Sequence, residues 1–413
     1  MRPETARLLD AALSGCELTA AEIECLLQVQ GADLHALLRA ADAAREEDVG
    51  PDVSYVVCRN LNFTNVCYVG CTYCGFARHA GDRDAYDHPL ALLLEKTREA
   101  VARGASEVCI QGGIHPKKDH THYREILIAL KREFPELHIH AFSPEEIDHG
   151  QKQSGMPLRE YLLWLKAAGL GTIPGTAAEI LDDELRRVIA PRKLMTQRWL
   201  EIVRTAHQVG LRSSSTLMYG HLETPRQITN HLVQLRALQK ETGGFTEFVP
   251  LGFIHEQTRL YQHLGARPGP STSEDLRMLA AARLSLRPWI SNIQVSWVKL
   301  GPKLAQWGLL AGANDFGGTL MEESISREAG AAFGENLAPE EIRRLIRELG
   351  RVPVERTTLY EIRRRFDDPV QDQVPVPPSS QRPLRGPERF RAGVDRELRA
   401  RAELPIQVSP PVR

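Results

Sequence analysis

The sequence predicts an α/β fold: a (βα)8 barrel of the TIM type, with an N-terminal helical extension and a disordered C-terminal tail, divided at 1–50, 51–366 and 367–413. Three observations predict it. From residue 54 onward, short β-prone runs alternate with longer helical patterns, the signature of βα units. Those runs number eight, as a closed barrel requires. Prolines then crowd into 369–413 among arginines and few large apolar side chains, a composition with too little to bury.

Taken in order, residues 4–48 read as short amphipathic helices, with Leu8, Leu9, Ala12 and Leu13 at helical spacing and Thr19 placed to cap the run reaching Leu26 and Leu27. Cys16 and Cys25 have no ligand spacing here and read as small core residues. The expected strands are Val56–Phe63, Glu107–Gln111, Leu137–Phe142, Gly171–Pro174, Arg212–Met218, Thr246–Phe253, Gln294–Leu300 and a short run at Asn314–Phe316, with a six-unit open barrel as the alternative. Helix ends are legible between them. Asp87 and Pro89 open one helix that Gly104 stops, and Thr196 is read as the cap of another, whose Trp199, Ile202, Val203 and Ala206 share a face before Gly210. In a barrel the residues just past each strand lie on one rim, where the βα loops build the active site.

Composition narrows the function classes. A chain of 413 residues with 42% apolar residues can bury a full core. Lysine plus arginine (52) and aspartate plus glutamate (53) nearly cancel, so nothing pulls the protein toward nucleic acid or anionic lipid, and a small-molecule substrate is expected. The basic residues of the tail are likewise offset by acidic ones, which suits a solvated segment rather than a binding arm. No apolar run approaches the length of a membrane span and the first residues lead into no signal-peptide core, so a cytoplasmic location is expected. Seven cysteines, three of them crowded into one short stretch, disfavour a disulfide framework and favour metal in a reducing compartment.

Just past the first expected strand stands Cys67-Tyr68-Val69-Gly70-Cys71-Thr72-Tyr73-Cys74, a C-x3-C-x2-C spacing. Thiolates bind iron–sulfur clusters, and three of them around a four-iron cubane leave one iron open. An electron carrier gains nothing from an open iron and normally offers a fourth cysteine near by. Here Cys58 and Cys109 fall inside expected strands, while Cys16 and Cys25 precede the domain. S-adenosylmethionine, chelating through its amino and carboxylate groups, uses such a site. Cys67, Cys71 and Cys74 are therefore the expected ligands of a [4Fe–4S] cluster, with Tyr73 as a wall beside the bound cofactor. The bland alternative is a redox or zinc-binding protein with His79 as fourth zinc ligand, although zinc knuckles stand in small modules rather than at the head of a barrel-sized domain.

The loop resembles that of the radical S-adenosylmethionine superfamily. Arg59-Asn60-Leu61-Asn62-Phe63-Thr64-Asn65-Val66-Cys67 is similar to the subgroup that makes deazaflavin and futalosine-pathway intermediates, as are Gln111–Pro116, His138–Glu146 and Gly175–Leu181. Thr216-Leu217-Met218-Tyr219-Gly220-His221 and Thr242–Leu251 most resemble the CofH family, the second half of 7,8-didemethyl-8-hydroxy-5-deazariboflavin (FO) synthase, over roughly residues 50–366. Cys58 departs from the polar residue expected there, without touching the cluster ligands. The resemblance implies a radical barrel that splits S-adenosylmethionine to a 5′-deoxyadenosyl radical and methionine, cleaves L-tyrosine at Cα–Cβ to release 2-iminoacetate, and adds the 4-hydroxybenzyl fragment to C5 of 5-amino-6-(D-ribitylamino)uracil. A separate CofG-type radical enzyme is expected to close the deazaflavin ring, since no second cysteine loop occurs here, and an electron donor such as ferredoxin or flavodoxin is expected. A futalosine-pathway enzyme of menaquinone biosynthesis is the alternative within the superfamily.

The strand ends supply the remaining candidates. Gly112 and Gly113 follow a strand and let backbone approach a ligand, and in the superfamily that segment contacts the cofactor's amino group. His138 and His140 share a strand face, with His140 nearer the rim and Ser143 and Glu145 beyond, so His140 is a candidate for cofactor or substrate. Glu179 follows the fourth strand, where it could bind ribose hydroxyls or an amino group, against the plain reading of a first-turn helix glutamate. Tyr219, His221 and Glu223 end the fifth strand, and Glu247 lies inside an apolar sixth. A carboxylate facing a barrel interior needs a partner, so Tyr219, His221 and Glu247 are the candidates for contact with substrate. Asn314 and Asp315 near the last strand fall in the same class.

Overall fold

The computed structural model describes residues 1–369, so the expectation of a disordered tail lies, beyond residue 369, outside the described residues. Helices Pro3–Leu13, Ala20–Leu26 and Ala32–Val49 form the N-terminal extension. Thr19 begins the second through a capping box with Glu22, as its position suggests. Leu8, Leu9, Ala12, Leu37, Ala41 and Ala44 are buried, and the third helix packs on helix Thr272–Leu286. Cys16 and Cys25 are exposed rather than in the core, because Cys16 lies in the connection between the first two helices and Cys25 on the solvent side of the second. No described helix is long and apolar enough to cross a membrane.

The strands are β1 (Asp52–Val56), β2 (Cys58–Leu61), β3 (Glu107–Ile110), β4 (His138–Ala141), β5 (Thr172–Ile173), β6 (Arg212–Tyr219), β7 (Phe245–Gly252), β8 (Asp315–Gly318), β9 (Val352–Arg356) and β10 (Ile362–Arg365). The first expected strand starts earlier, at Asp52, and divides at Val57 between two sheets. Six strands run parallel in the order β2-β3-β4-β5-β6-β7, and β1 pairs in parallel with β8. The ring closes between β7 and β8 through two isolated parallel bridges, Phe248 with Ile293 and Gln294 with Asp315. The eight-membered barrel order of the sequence reading is thus present, with its seventh member reduced to bridge residues.

Three differences have local causes. The expected strand Gln294–Leu300 is overturned after its first residues, since helix Trp297–Leu309 begins there. Trp297, Val298, Gly301, Ala305, Gly308 and Leu309 are its buried positions, a helical spacing that outweighs the β-prone composition of its start. The helix is broken at Gly301, whose φ is 74°, next to Pro302. The strands β9 and β10 were not foreseen. β9 runs parallel to β1 and β10 turns back antiparallel, which places Arg356 against the Asp315 carboxylate at 2.5 and 3.0 Å, inside the barrel. Helix Thr196–Gln208 keeps the predicted buried face of Trp199, Ile202, Val203 and Ala206, but Thr196 is its first residue rather than its cap, its N–H donating to Asp183 Oδ1 at 2.9 Å.

Candidate functional site

A cavity of about 240 Å³ opens at the C-terminal ends of the strands. The loop after β2 brings Cys67, Cys71, Tyr73 and Cys74 to it, and the turn after β3 brings Gln111, Gly112 and Gly113. Ser143, Glu145 and Glu146 follow β4; Thr176 and Glu179 follow β5; Met218 and Leu251 come from the ends of β6 and β7. Lys193, Lys299, Ile325 and Ala329 complete the wall.

The cysteine loop is held by its backbone. Cys67 N–H donates to Arg78 O (3.0 Å), Tyr68 N–H to Ile114 O (3.2 Å) and Thr72 N–H to Ile189 O (2.8 Å). The Arg78 guanidinium donates to the carbonyls of Gly75, Phe76 and Ala77, tying down the far end. All three thiols are free, and burial pushes Cys71 up to about 12 and raises Cys74. Among the described residues no three His, Cys, Asp or Glu side chains converge closely enough to hold a single ion. Three thiols spread around one cavity suit a cubane, whose irons occupy separate corners.

The turn after β3 is glycine because the cysteine loop leaves no room. A Cβ at Gly113 would lie 2.3 Å from Val66 O, and one at Gly112 2.5 Å from the Phe63 ring. The Gly112 N–H is taken by Glu146 Oε1 at 3.0 Å, and Glu146 also closes a capping box with Ser143. Burial raises Glu146 to about 7 against the lowering effect of those donors. Glu145 accepts from Leu194 N at 2.9 Å, which fixes the segment carrying Lys193.

Lys193, Glu179 and Tyr73 form one charged unit. Lys193 Nζ donates to Glu179 Oε1 (2.6 Å) and to the Tyr73 hydroxyl (2.8 Å), which itself donates to Glu179 Oε1 (2.5 Å). Burial pushes Glu179 up, but Lys193 and the Tyr73 hydroxyl outweigh it and hold it ionised, below the ordinary carboxylate value. Burial lowers Lys193, but Glu179, with Cys71 and Glu145, outweighs it and raises the ammonium above its ordinary value. Tyr73 and Glu179 are therefore brought to the cavity together, beside Cys71.

The other candidates are not brought there. His140 Nδ1 and His138 Nε2 both meet Thr172 Oγ1, at 2.7 and 2.8 Å, and burial lowers His140 to about 3, so it is neutral in the barrel interior below the cavity. The Tyr219 hydroxyl donates to Asp275 Oδ1 at 2.6 Å. His221 is buried with Nε2 on Met218 O (3.2 Å) and Nδ1 3.3 Å from Glu223. Glu247 accepts from Tyr360 (2.7 Å) and Gln294 (2.6 Å) and lies 3.7 Å from Arg356. Asp315 pairs with Arg356, and Asn314 Oδ1 accepts from Ile293 N–H at 2.9 Å. Glu247, Asp315 and His140 meet their partners inside the barrel beneath the rim, whereas Tyr219 reaches Asp275 on helix Thr272–Leu286, on the strand face opposite the cavity-lining Met218. Lys193 and Lys299 were missed: the first sits beside Arg192 in what reads as a solvated basic turn, the second in a segment read as a strand.

Comparison with known proteins follows the same boundaries. A radical SAM superfamily model matches residues 61–235, and a model described as the CofH/MqnC C-terminal region matches 242–368. The chain is 47% identical over 360 residues to the 5-amino-6-(D-ribitylamino)uracil–L-tyrosine 4-hydroxyphenyl transferase of Methanothermobacter thermautotrophicus, covering 87% of this chain and 98% of that one. The transferase of the same name from Methanopyrus kandleri is 50% identical over 329 residues, 80% of this chain and 89% of the other. FO synthase of Mycobacterium tuberculosis is 49% identical across 86% of this chain, which spans 41% of that longer protein. Among solved structures, methylornithine synthase shares the fold at TM-score 0.67 and 20% identity, over 84% of this chain and 97% of that one. The hydrogenase maturase HydG of Carboxydothermus hydrogenoformans shares it at 0.68 and 16%, over 86% and 80%.

Proposed function

Because the chain belongs to the radical SAM superfamily and, within it, to the CofH family of 5-amino-6-(D-ribitylamino)uracil–L-tyrosine 4-hydroxyphenyl transferases, we propose that it cleaves L-tyrosine and transfers the 4-hydroxybenzyl fragment to 5-amino-6-(D-ribitylamino)uracil in FO biosynthesis. The observation that carries this reading is near full-length identity of 47% to such a transferase, joined to a cavity lined by all three cysteines of the C-x3-C-x2-C loop. The C-terminal family model spans CofH and MqnC alike, so the futalosine alternative is set aside on the full-length identity and not on that model.

Cys67, Cys71 and Cys74 would hold three irons of a [4Fe–4S] cluster, leaving the fourth for S-adenosylmethionine. Bound there, the pair supplies one-electron chemistry. The chain's own residues prepare the site for it. The Glu179–Lys193–Tyr73 unit presents a fixed carboxylate, ammonium and aromatic face beside Cys71, suited to the polar parts of a nucleoside or amino acid. Gly112 and Gly113 bring backbone to the cavity without a side chain that would displace the cysteine loop. Met218, Leu251 and Ile325 supply apolar wall that excludes water from a reactive centre.

A separate CofG-type enzyme acting next fits the 41% span of this chain along the mycobacterial FO synthase, and ferredoxin or flavodoxin suits a cluster that must be reduced. The test is an anaerobic reaction with reconstituted protein, S-adenosylmethionine, a reductant, L-tyrosine and the ribitylaminouracil. The expected products are 5′-deoxyadenosine and the tyrosine-derived uracil adduct, read by mass. Deoxyadenosine without the adduct overturns the assignment, and turnover of a futalosine-pathway substrate in its place would establish the alternative.

A further inference from the structure

Two lysines reach the cavity, and they differ in what neutralises them. Lys193 is paired with Glu179 at 2.6 Å. Lys299 donates from Nζ to the Ser326 hydroxyl at 2.7 Å, and that neutral oxygen is its one hydrogen-bond partner among the described residues. The neighbouring anion, Glu323, is already engaged: its carboxylate oxygens accept from Ile325 N–H (3.0 Å) and Ser326 N–H (2.8 Å). An ammonium has three donors, so Lys299 keeps donors for a ligand. Burial lowers its pKa, with Glu323 and Glu179 pulling the other way from beyond contact distance. Lys299 stands in the short turn that precedes the break at Gly301.

The ligands of the proposed reaction differ in the same respect. The carboxylate of S-adenosylmethionine chelates the open iron together with its amino group. The ribitylaminouracil carries no carboxylate. L-Tyrosine brings an α-carboxylate that must be desolvated in the cavity, and a buried anion needs a paired cation. Resting on the transferase reading, we propose that Lys299 binds the α-carboxylate of L-tyrosine and thereby selects the amino acid over phenols that lack the acid. Lys299 lies beside Ile325 and Ala329 on the wall, so the charge contact is placed in an apolar setting where it is strong.

The experiment is equilibrium binding to the reconstituted, S-adenosylmethionine-loaded protein without reductant, so that nothing turns over. L-Tyrosine is compared with tyramine, which keeps the phenol and amine and lacks the carboxylate, on the unmodified protein, Lys299→Met and Lys299→Arg. The unmodified protein is expected to prefer tyrosine by at least about 30-fold, the effect of one buried charge pair. Lys299→Met is expected to lose that preference with tyramine and S-adenosylmethionine binding unchanged, and Lys299→Arg to restore part of it. Iron content shows that the variants are folded and loaded. A Met variant that keeps the preference overturns this assignment alone, as does one whose S-adenosylmethionine affinity falls in step with tyrosine. Unmodified protein that binds neither phenol overturns the transferase reading as well.

Discussion

A methyl group at Gly113 would press on Val66 O at 2.3 Å and on Cys67 Cβ at 3.0 Å, so this residue sets the distance between the β3 turn and the first cluster thiol. Backbone cannot yield as a flexible side chain can, and the displacement falls on Cys67. Gly113→Ala is therefore expected to keep its secondary structure, seen by circular dichroism, but to bind well under half the iron of the unmodified protein after reconstitution; full iron loading would count against this account. At this scale placement on the cavity was readable where chemistry needs a spacing, as with Cys67, Cys71, Cys74 and the Gly-Gly pair. It was not readable where a side chain acquires its role only through distant partners. Lys193 becomes part of the site because Glu145 anchors Leu194, 49 positions away, and nothing local marks it. Glu247 and His140 were recognised as lumen-facing polar residues, but whether such a residue meets ligand or protein depends on its depth below the rim. For Glu247 that depth was hidden while β9, which carries Arg356, and the turn after it, which carries Tyr360, were unassigned.

Elements with strong periodicity or end signals appeared as expected, the helix Thr196–Gln208 among them, because its buried face, Trp199 to Ala206, is continuous over about two turns. Short elements defined by tertiary pairing did not: β9 and β10 carry Arg356 and Arg363–Arg365, a composition that reads as solvated until β1 is there to pair with. The C-terminal end of helix Thr196–Gln208 carries a testable electrostatic load. His207 is wedged between Thr242 Oγ1 (2.7 Å) and Ser213 Oγ (2.8 Å), edge-on to Phe245, and burial lowers it to about 4. Its unfolded value is near 6.5, so between those limits the unfolded chain binds the extra proton, and the stability that neutral His207 contributes is present above about pH 6.5 and lost as pH falls toward 4. Going from pH 7 to pH 5 should cost about 2 kcal/mol through this residue. In urea unfolding of cluster-free protein, the stability advantage of the unmodified chain over His207→Gln should shrink by about that amount across the same interval. An advantage that does not change with pH would refute the assignment.

At the scale of the whole molecule, the barrel order was legible because βα alternation persists for most of the chain, and its weakest join was the place where the reading failed. Between β7 and β8 the ring is closed by Phe248 N–H on Asn292 O (2.9 Å), Gln294 N–H on Phe248 O (3.0 Å) and Val295 N–H on Asp315 O (2.9 Å), with no full strand between them. The β-prone run that begins at Gln294 therefore continues into helix Trp297–Leu309. Side chains supply what the ladder lacks. Asn314 Oδ1 accepts from Ile293 N–H at 2.9 Å and from the buried Arg283 guanidinium at 2.6 Å, while its Nδ2 donates to Asn292 Oδ1 at 3.0 Å. Asn314 is thus the tie that lets two bridge residues stand in for a strand. Replacing it with leucine leaves an amide and part of a buried cation without an acceptor, which should destabilise the fold by about 2–4 kcal/mol. Asn314→Asp keeps both acceptor contacts and places a negative charge beside Arg283, so it should lose less than the leucine variant. Urea unfolding separates the two, and amide exchange at Phe248, Gln294 and Val295 should accelerate in the leucine variant ahead of the β2–β4 amides, because the ring opens first at its shortest member. Equal midpoints for Asn314→Leu and the unmodified protein would mean that the barrel is closed by packing alone.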